Sequence, residues 1–153
     1  MLVIINKKRR YYEKKKILLN STLDCKTLKQ DKIKKQEQIK KNQKIKDLSQ
    51  KSLAFINTIK DYSSSEKSNL LSTLTLEQKK LIKSARDTNN QRKKDNLFKL
   101  IDLYDYQILI LSEHLNSNDF SIAIKQYEDD IIEKNNKIKK LKQEIAEIDA
   151  NCP

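Results

Sequence analysis

Glycine is absent from all 153 residues, and the single proline is Pro153. Glycine is the residue that takes left-handed backbone without penalty, so tight hairpins, glycine-rich phosphate loops and strained nucleophile turns lose their usual material. Tryptophan is missing as well. Cysteine occurs twice, at Cys25 and Cys152, with no CxxC spacing and no disulfide framework. Two lone thiols fit a reducing compartment, cytoplasmic or nuclear. No stretch is long and apolar enough to span a bilayer. The opening Met1-Leu2-Val3-Ile4-Ile5 precedes the basic run, the reverse of signal-peptide order.

Histidine is equally scarce. His114 is the only one, so any Ser-His-Asp or Cys-His arrangement would have to use it. Its neighbour Glu113 points roughly 100° away on a helix, and a histidine near a helix C-terminus has an ordinary structural role. There is no HExxH, no Glu-x-x-His, no zinc spacing and no EF-hand loop. The cluster Glu128, Asp129, Asp130, Glu133 reads as a solvated helix face. These absences predict a chain that is not an enzyme and needs neither metal nor cofactor.

What is present is helical material. Hydrophobic residues make up 37% and charged residues 35%, and the apolar positions recur at helical rather than alternating spacing. The expected class is all-α, with long helices, an antiparallel helical hairpin or coiled-coil bundle, and a basic N-terminal arm. The net charge of +12 is unevenly spread. Residues 1–60 hold 18 Lys/Arg against 5 Asp/Glu, whereas residues 61–153 hold 15 against 16. Such asymmetry points the front end toward an acidic partner.

Four segments follow from the pattern. Residues 1–23 form a basic arm, centred on KKRRYYEKKK at 7–16. Residues 24–62 form a long Lys-rich helix. In its first half Leu28, Ile33, Ile39 and Ile45 fall at about 0°, 140°, 20° and 260° on a helical wheel. They share no face, which predicts a stretch that projects or is ordered by a partner. Its second half carries a heptad seam of Ile45, Leu48, Ser52, Phe55, Ile59 and Tyr62. Residues 63–94 read as a linker with a short helix, with capping boxes at Ser63/Glu66 and Thr75/Gln78 and a loop over 87–91. Residues 95–150 read as an antiparallel helical hairpin turning at Asn116-Ser117-Asn118-Asp119. Its first helix is apolar over most of its circumference and therefore expected to be central in a bundle. Its second carries the seam Phe120, Ile124, Tyr127, Ile131, Ile138, Leu141, Ile145, Ile148, interrupted by Lys134.

Two surfaces carry the functional expectation. Lys7, Lys8, Arg9, Arg10, Lys14, Lys15 and Lys16 can neutralise phosphates or acidic side chains, with Tyr11 and Tyr12 available to stack on unpaired bases. The same cluster also fits a nuclear-localisation or membrane-surface patch. The seam residues Ile45, Leu48, Phe55, Ile59, Ile124, Ile131, Ile138, Leu141, Ile145 and Ile148 form either an intramolecular core or a coiled-coil face for a protein partner or a second copy. The expected function is a non-enzymatic coiled-coil adaptor or structural subunit docking through its basic front end onto an acidic surface. The alternative is sequence-nonspecific binding of RNA or DNA through residues 7–46.

Overall fold

The computed structural model describes residues 25–153. Among them are four helices and no strand, which meets the all-α expectation: α1 (Cys25–Ile59), α2 (Ser64–Asp87), α3 (Gln91–Glu113) and α4 (Ser121–Asn151). Each break is made by Ser, Asn or Asp. Ser63 Oγ accepts the Glu66 N–H at 3.1 Å, the N-cap half of the capping box that the sequence predicts, and the Ser63 hydroxyl, rather than its backbone N–H, donates to Glu66 Oε1 at 3.3 Å. Asn90 Oδ1 accepts the Lys93 N–H at 3.1 Å and opens α3. Asp119 Oδ1 accepts the N–H of Ser121 at 3.1 Å and its hydroxyl at 2.6 Å, satisfying a donor at the start of α4.

The second capping box does not form. Thr75 Oγ1 donates instead to Leu71 O at 2.8 Å, and Gln78 Nε2 donates to Ile101 O on α3 at 3.2 Å. A mid-helix threonine already has a carbonyl four residues back, and Leu74 and Ala85 are buried on either side of this point. Tertiary packing carries the helix through a local stop signal. The stretch expected as a linker with a short helix is therefore largely one helix of 24 residues.

The chain divides into two compact units, one of residues 25–43 with 135–153 and one spanning Lys44–Lys134. The packed helix pairs are α1 with α4 and α2 with α3.

In the Lys44–Lys134 unit, Ile56 and Ile59 of α1, Leu74 of α2, Ile110 and Leu111 of α3, and Phe120 form the core. Each such side chain contributes about 1.5–3 kcal/mol by leaving water. The frame on α1 differs from the expected one. Its buried positions are Ser49, Ser52, Ile56 and Ile59, so Ile56 rather than Phe55 points fully inward, and Ile45 stays 36% exposed. Both frames keep 3–4 spacing and share Ser52 and Ile59, and Ser52 can be buried because its hydroxyl donates to Leu48 O at 2.7 Å. On α3 the expected all-round cover is also incomplete. Ile110 and Leu111 are buried, yet Phe98 is 46% and Leu109 52% exposed, because α2 is the helix packed along it.

Lys67 locks this unit together. Its side chain lies in the polar run that reads as a connection, yet it is 1% exposed. Nζ donates to His114 O at 2.7 Å, to Ser117 O at 2.9 Å and to Asn118 Oδ1. All three ammonium hydrogens are thereby used, and the head group sits 5.3 Å from the Phe120 ring centre. A cation at the carbonyl end of α3 is favourable against the helix dipole. A lone lysine among serines carries no sequence signal for this role.

Candidate interaction surface

The other unit pairs the leading half of α1 with the trailing half of α4, the half-helix for which the wheel predicts no shared face. Cys25 is disulfide-bonded to Cys152, Lys32 pairs with Asp149, and Lys35 pairs with Glu144 at 2.8 Å. Falling numbers on one helix meet rising numbers on the other, so the pair is antiparallel. On α1 the half-buried positions Cys25, Leu28, Lys32, Lys35, Ile39 and Asn42 recur at spacings of 3 and 4, a heptad seam. The matching seam is Ile138, Leu141, Ile145 and Ile148 on α4 with Cys152 just past its end, of which Ile138, Ile148 and Cys152 are buried. Leu28 and Ile39, eleven residues apart, do share the face, whereas Ile33 is 56% exposed. The expectation of a faceless helix is thus corrected. Half of the α1 seam is polar, and hydropathy alone does not register lysines whose stems pack while their heads reach carboxylates.

The cysteines are corrected as well. They form one bond with Cα atoms 5.7 Å apart across 127 positions of sequence, and the premise of two lone thiols no longer supports a reducing compartment. A single pair this far apart has no spacing signature in sequence.

Charge on this unit is one-sided. Its two segments hold 11 Lys against 5 Asp/Glu. Lys32 and Lys35 face the seam, where Asp149, Glu144 and Asp31 engage them. The Glu144 carboxylate, with Asp31 behind it, holds the Lys35 ammonium above the ordinary lysine value against the opposing effect of burial. Three of the five carboxylates are therefore directed at the seam lysines, while Lys26, Lys29, Lys34, Lys40 and Lys41 on α1 and Lys139, Lys140 and Lys142 on α4 are exposed. A cleft of about 320 Å³ runs between the helices, lined by Gln38, Asn42, Lys137, Lys140, Leu141 and Glu144.

The other expected site residues are distributed as follows. Lys7, Lys8, Arg9, Arg10, Tyr11, Tyr12, Lys14, Lys15 and Lys16 lie outside the described residues. Ile59 is in the core of the Lys44–Lys134 unit, with Phe55 and Ile124 packed against it. Leu48 and Ile131 are half-buried there, and Ile138, Leu141, Ile145 and Ile148 line the seam just described. Lys134, which interrupts the heptad, is half-buried, 3.6 Å from Glu133. His114 caps α3: Nδ1 lies 3.0 Å from Ile110 O, and the ring stacks on Phe120 at 4.6 Å. Burial raises the Tyr104 hydroxyl, with Glu77 adding to it, and raises the Tyr127 hydroxyl, with the neighbouring Ser52 acting in the opposite sense. Among the described residues no three of His, Cys, Asp and Glu come together as a metal site, and no helix is long and apolar enough to cross a membrane. Comparison with protein-family models, with curated proteins and with solved structures finds no match.

Proposed function

We propose that this chain is a non-enzymatic helical adaptor or structural subunit that docks through its basic N-terminal part onto an acidic surface of a larger assembly. One observation carries the reading: the α1–α4 coiled coil directs three of its five carboxylates onto Lys32 and Lys35 and leaves its remaining α1 lysines at the surface. A surface so poorly neutralised by its own molecule attracts a polyanion at long range and orients it on approach. The basic segment 7–16, outside the described residues, belongs to the same N-terminal part of the sequence. Ile138, Leu141, Ile145 and Ile148 are engaged within the chain, so on this unit the exposed lysines are the feature offered to a partner.

The test uses the full chain and a variant with Lys26, Lys29, Lys34, Lys40 and Lys41 changed to Gln. Binding to immobilised poly-L-glutamate at 50 mM salt, reduced at least tenfold by the variant and by 200 mM salt, supports the proposal. No retention at 50 mM, or retention indifferent to the five lysines, refutes it. A 20-nucleotide oligonucleotide run in parallel tests the alternative. Oligonucleotide binding that depends on these lysines, without poly-L-glutamate binding, makes nucleic acid the ligand of this surface.

A further inference from the structure

The 61–153 part of the chain is close to neutral in total, and that total conceals a second concentration of charge. Residues 79–95 hold 7 Lys/Arg against 2 Asp, while the rest of the Lys44–Lys134 unit holds 8 against 12. The turn between α2 and α3 brings these cations to one end of an antiparallel helix pair. Lys79, Lys80, Lys83, Arg86, Arg92 and Lys93 are all exposed. Among the described residues none of the six is drawn into an ion pair.

The arrangement is electrostatically unfavourable for the isolated protein. Lys79, Lys83 and Arg86 stand at i, i+4 and i+7, one stripe of like charges that weakens the helix bearing it, and they line a common cleft with Ile82 and Asp87. Across the turn, α3 opens with Arg92, Lys93 and Lys94 and no acidic residue in its first turn, so its cations add to the positive pole of the helix. Arg92 and Lys93 line a second cleft, floored by Leu97 and Leu100 and edged by the amides of Asn90 and Asn96. Asp95 is occupied in accepting from Gln91 Nε2 at 2.8 Å. A ligand that supplies several negative charges in a row relieves both helices at once.

We infer that the α2–α3 turn is a binding site for the phosphate backbone of a nucleic acid. A cation stripe one helical turn in pitch, continued by a second cluster across the turn, suits a regularly repeated anion. The two guanidiniums offer paired donors of the kind that phosphate oxygens accept. Asn89, Asn90 and Gln91 at the apex supply neutral donors and acceptors for sugar or base edges. A lipid surface fits less well, because the apex Asp87-Thr88-Asn89-Asn90-Gln91 has no apolar residue to enter a bilayer.

The test measures fluorescence anisotropy of a labelled 20-nucleotide oligo-uridylate with the full chain. Two variants are compared: Lys79, Lys83, Arg86, Arg92 and Lys93 all changed to Gln, and a control with exposed Lys51, Lys60 and Lys125 changed to Gln. Five phosphate contacts correspond to about a 100-fold change in affinity between 50 and 200 mM salt. The site variant is expected to lose at least tenfold in affinity at 50 mM and most of that salt dependence, with the control changing less than threefold. Circular dichroism of both variants matching the parent excludes loss of fold as the cause. The inference is overturned if the chain does not bind at 50 mM salt or if the two variants weaken binding equally. It is also overturned if phosphatidylserine vesicles or poly-L-glutamate bind through the same five residues while the oligonucleotide does not.

Discussion

Reduction of the Cys25–Cys152 bond is expected to open the α1–α4 coiled coil while leaving the Lys44–Lys134 unit folded. The seam explains why. Ile138 and Ile148 are the buried aliphatic residues of that unit, and they face a strip of α1 whose heptad positions include Lys32, Lys35 and Asn42. The ion pairs Lys32–Asp149 and Lys35–Glu144 are partly exposed, and pairs of that kind contribute little and are screened by salt. Opening this unit alone frees about 37 residues of chain, for which the chain-entropy relation gives about 4 kcal/mol, within the usual 2–4 kcal/mol range. Two thiolates of an added dithiol accomplish the exchange. The first attacks one sulfur of the bond and expels the other cysteine as thiolate. The second closes the reagent's own disulfide and releases the remaining cysteine.

Hydrogen exchange followed by mass spectrometry, on the full chain with and without dithiothreitol, reads the result. Amides of 26–43 and 136–151 should exchange roughly 30- to 1,000-fold faster after reduction, the equivalent of about 2–4 kcal/mol. Those of 64–113 should change less than threefold. High salt should enlarge the effect in the reduced protein only. Cys25→Ser and Cys152→Ser should each reproduce the reduced pattern and ignore the reagent. Unchanged exchange in 26–43, or an equal loss of protection throughout the chain, would refute the reasoning. So would two thiols titrating in the denatured but unreduced protein.

Three further outcomes follow from the Lys44–Lys134 unit. Lys67→Met keeps most of the aliphatic stem but removes three hydrogen bonds, two of them to backbone carbonyls, and should cost about 2–5 kcal/mol in urea unfolding; a loss below about 0.5 kcal/mol would show the cap to be dispensable. Ile56→Ala should cost about 2–5 kcal/mol by leaving a cavity, and Ile45→Ala, at a partly exposed position, less than about 1 kcal/mol; the reverse order would restore the Ile45–Leu48–Phe55 frame. Hydrogen bonds from Ser121, then burial in the opposite sense and the field of His114, leave Asp119 below its ordinary value of 3.8. Its contribution is complete above 3.8 and is lost as pH falls through the lower folded value, so Asp119→Asn should flatten the acid limb of a stability profile below pH 3.8.

Much of the helical plan was legible because it is local. An interior without glycine or proline leaves Ser63, Asn90 and Asp119 as the residues able to end or begin helices, and each does so through its own side chain. The seam on the trailing half of α4 was legible for the same reason, since Ile138, Leu141, Ile145 and Ile148 announce a face by spacing alone. The Thr75/Gln78 signal misled because a four-residue motif does not include the burial of Leu74 and Ala85 around it.

By itself, then, the sequence determined the helical class, most of the turns, and the excess of positive charge in the leading part. Tertiary structure decided which helix meets which. It placed Lys32 and Lys35 opposite Asp149 and Glu144, joined two cysteines 127 positions apart, and buried Lys67 against the end of α3. The physical reason is that a helix declares its apolar stripe in its own periodicity, whereas a polar stripe acquires a meaning only from the residues that the antiparallel register sets opposite it.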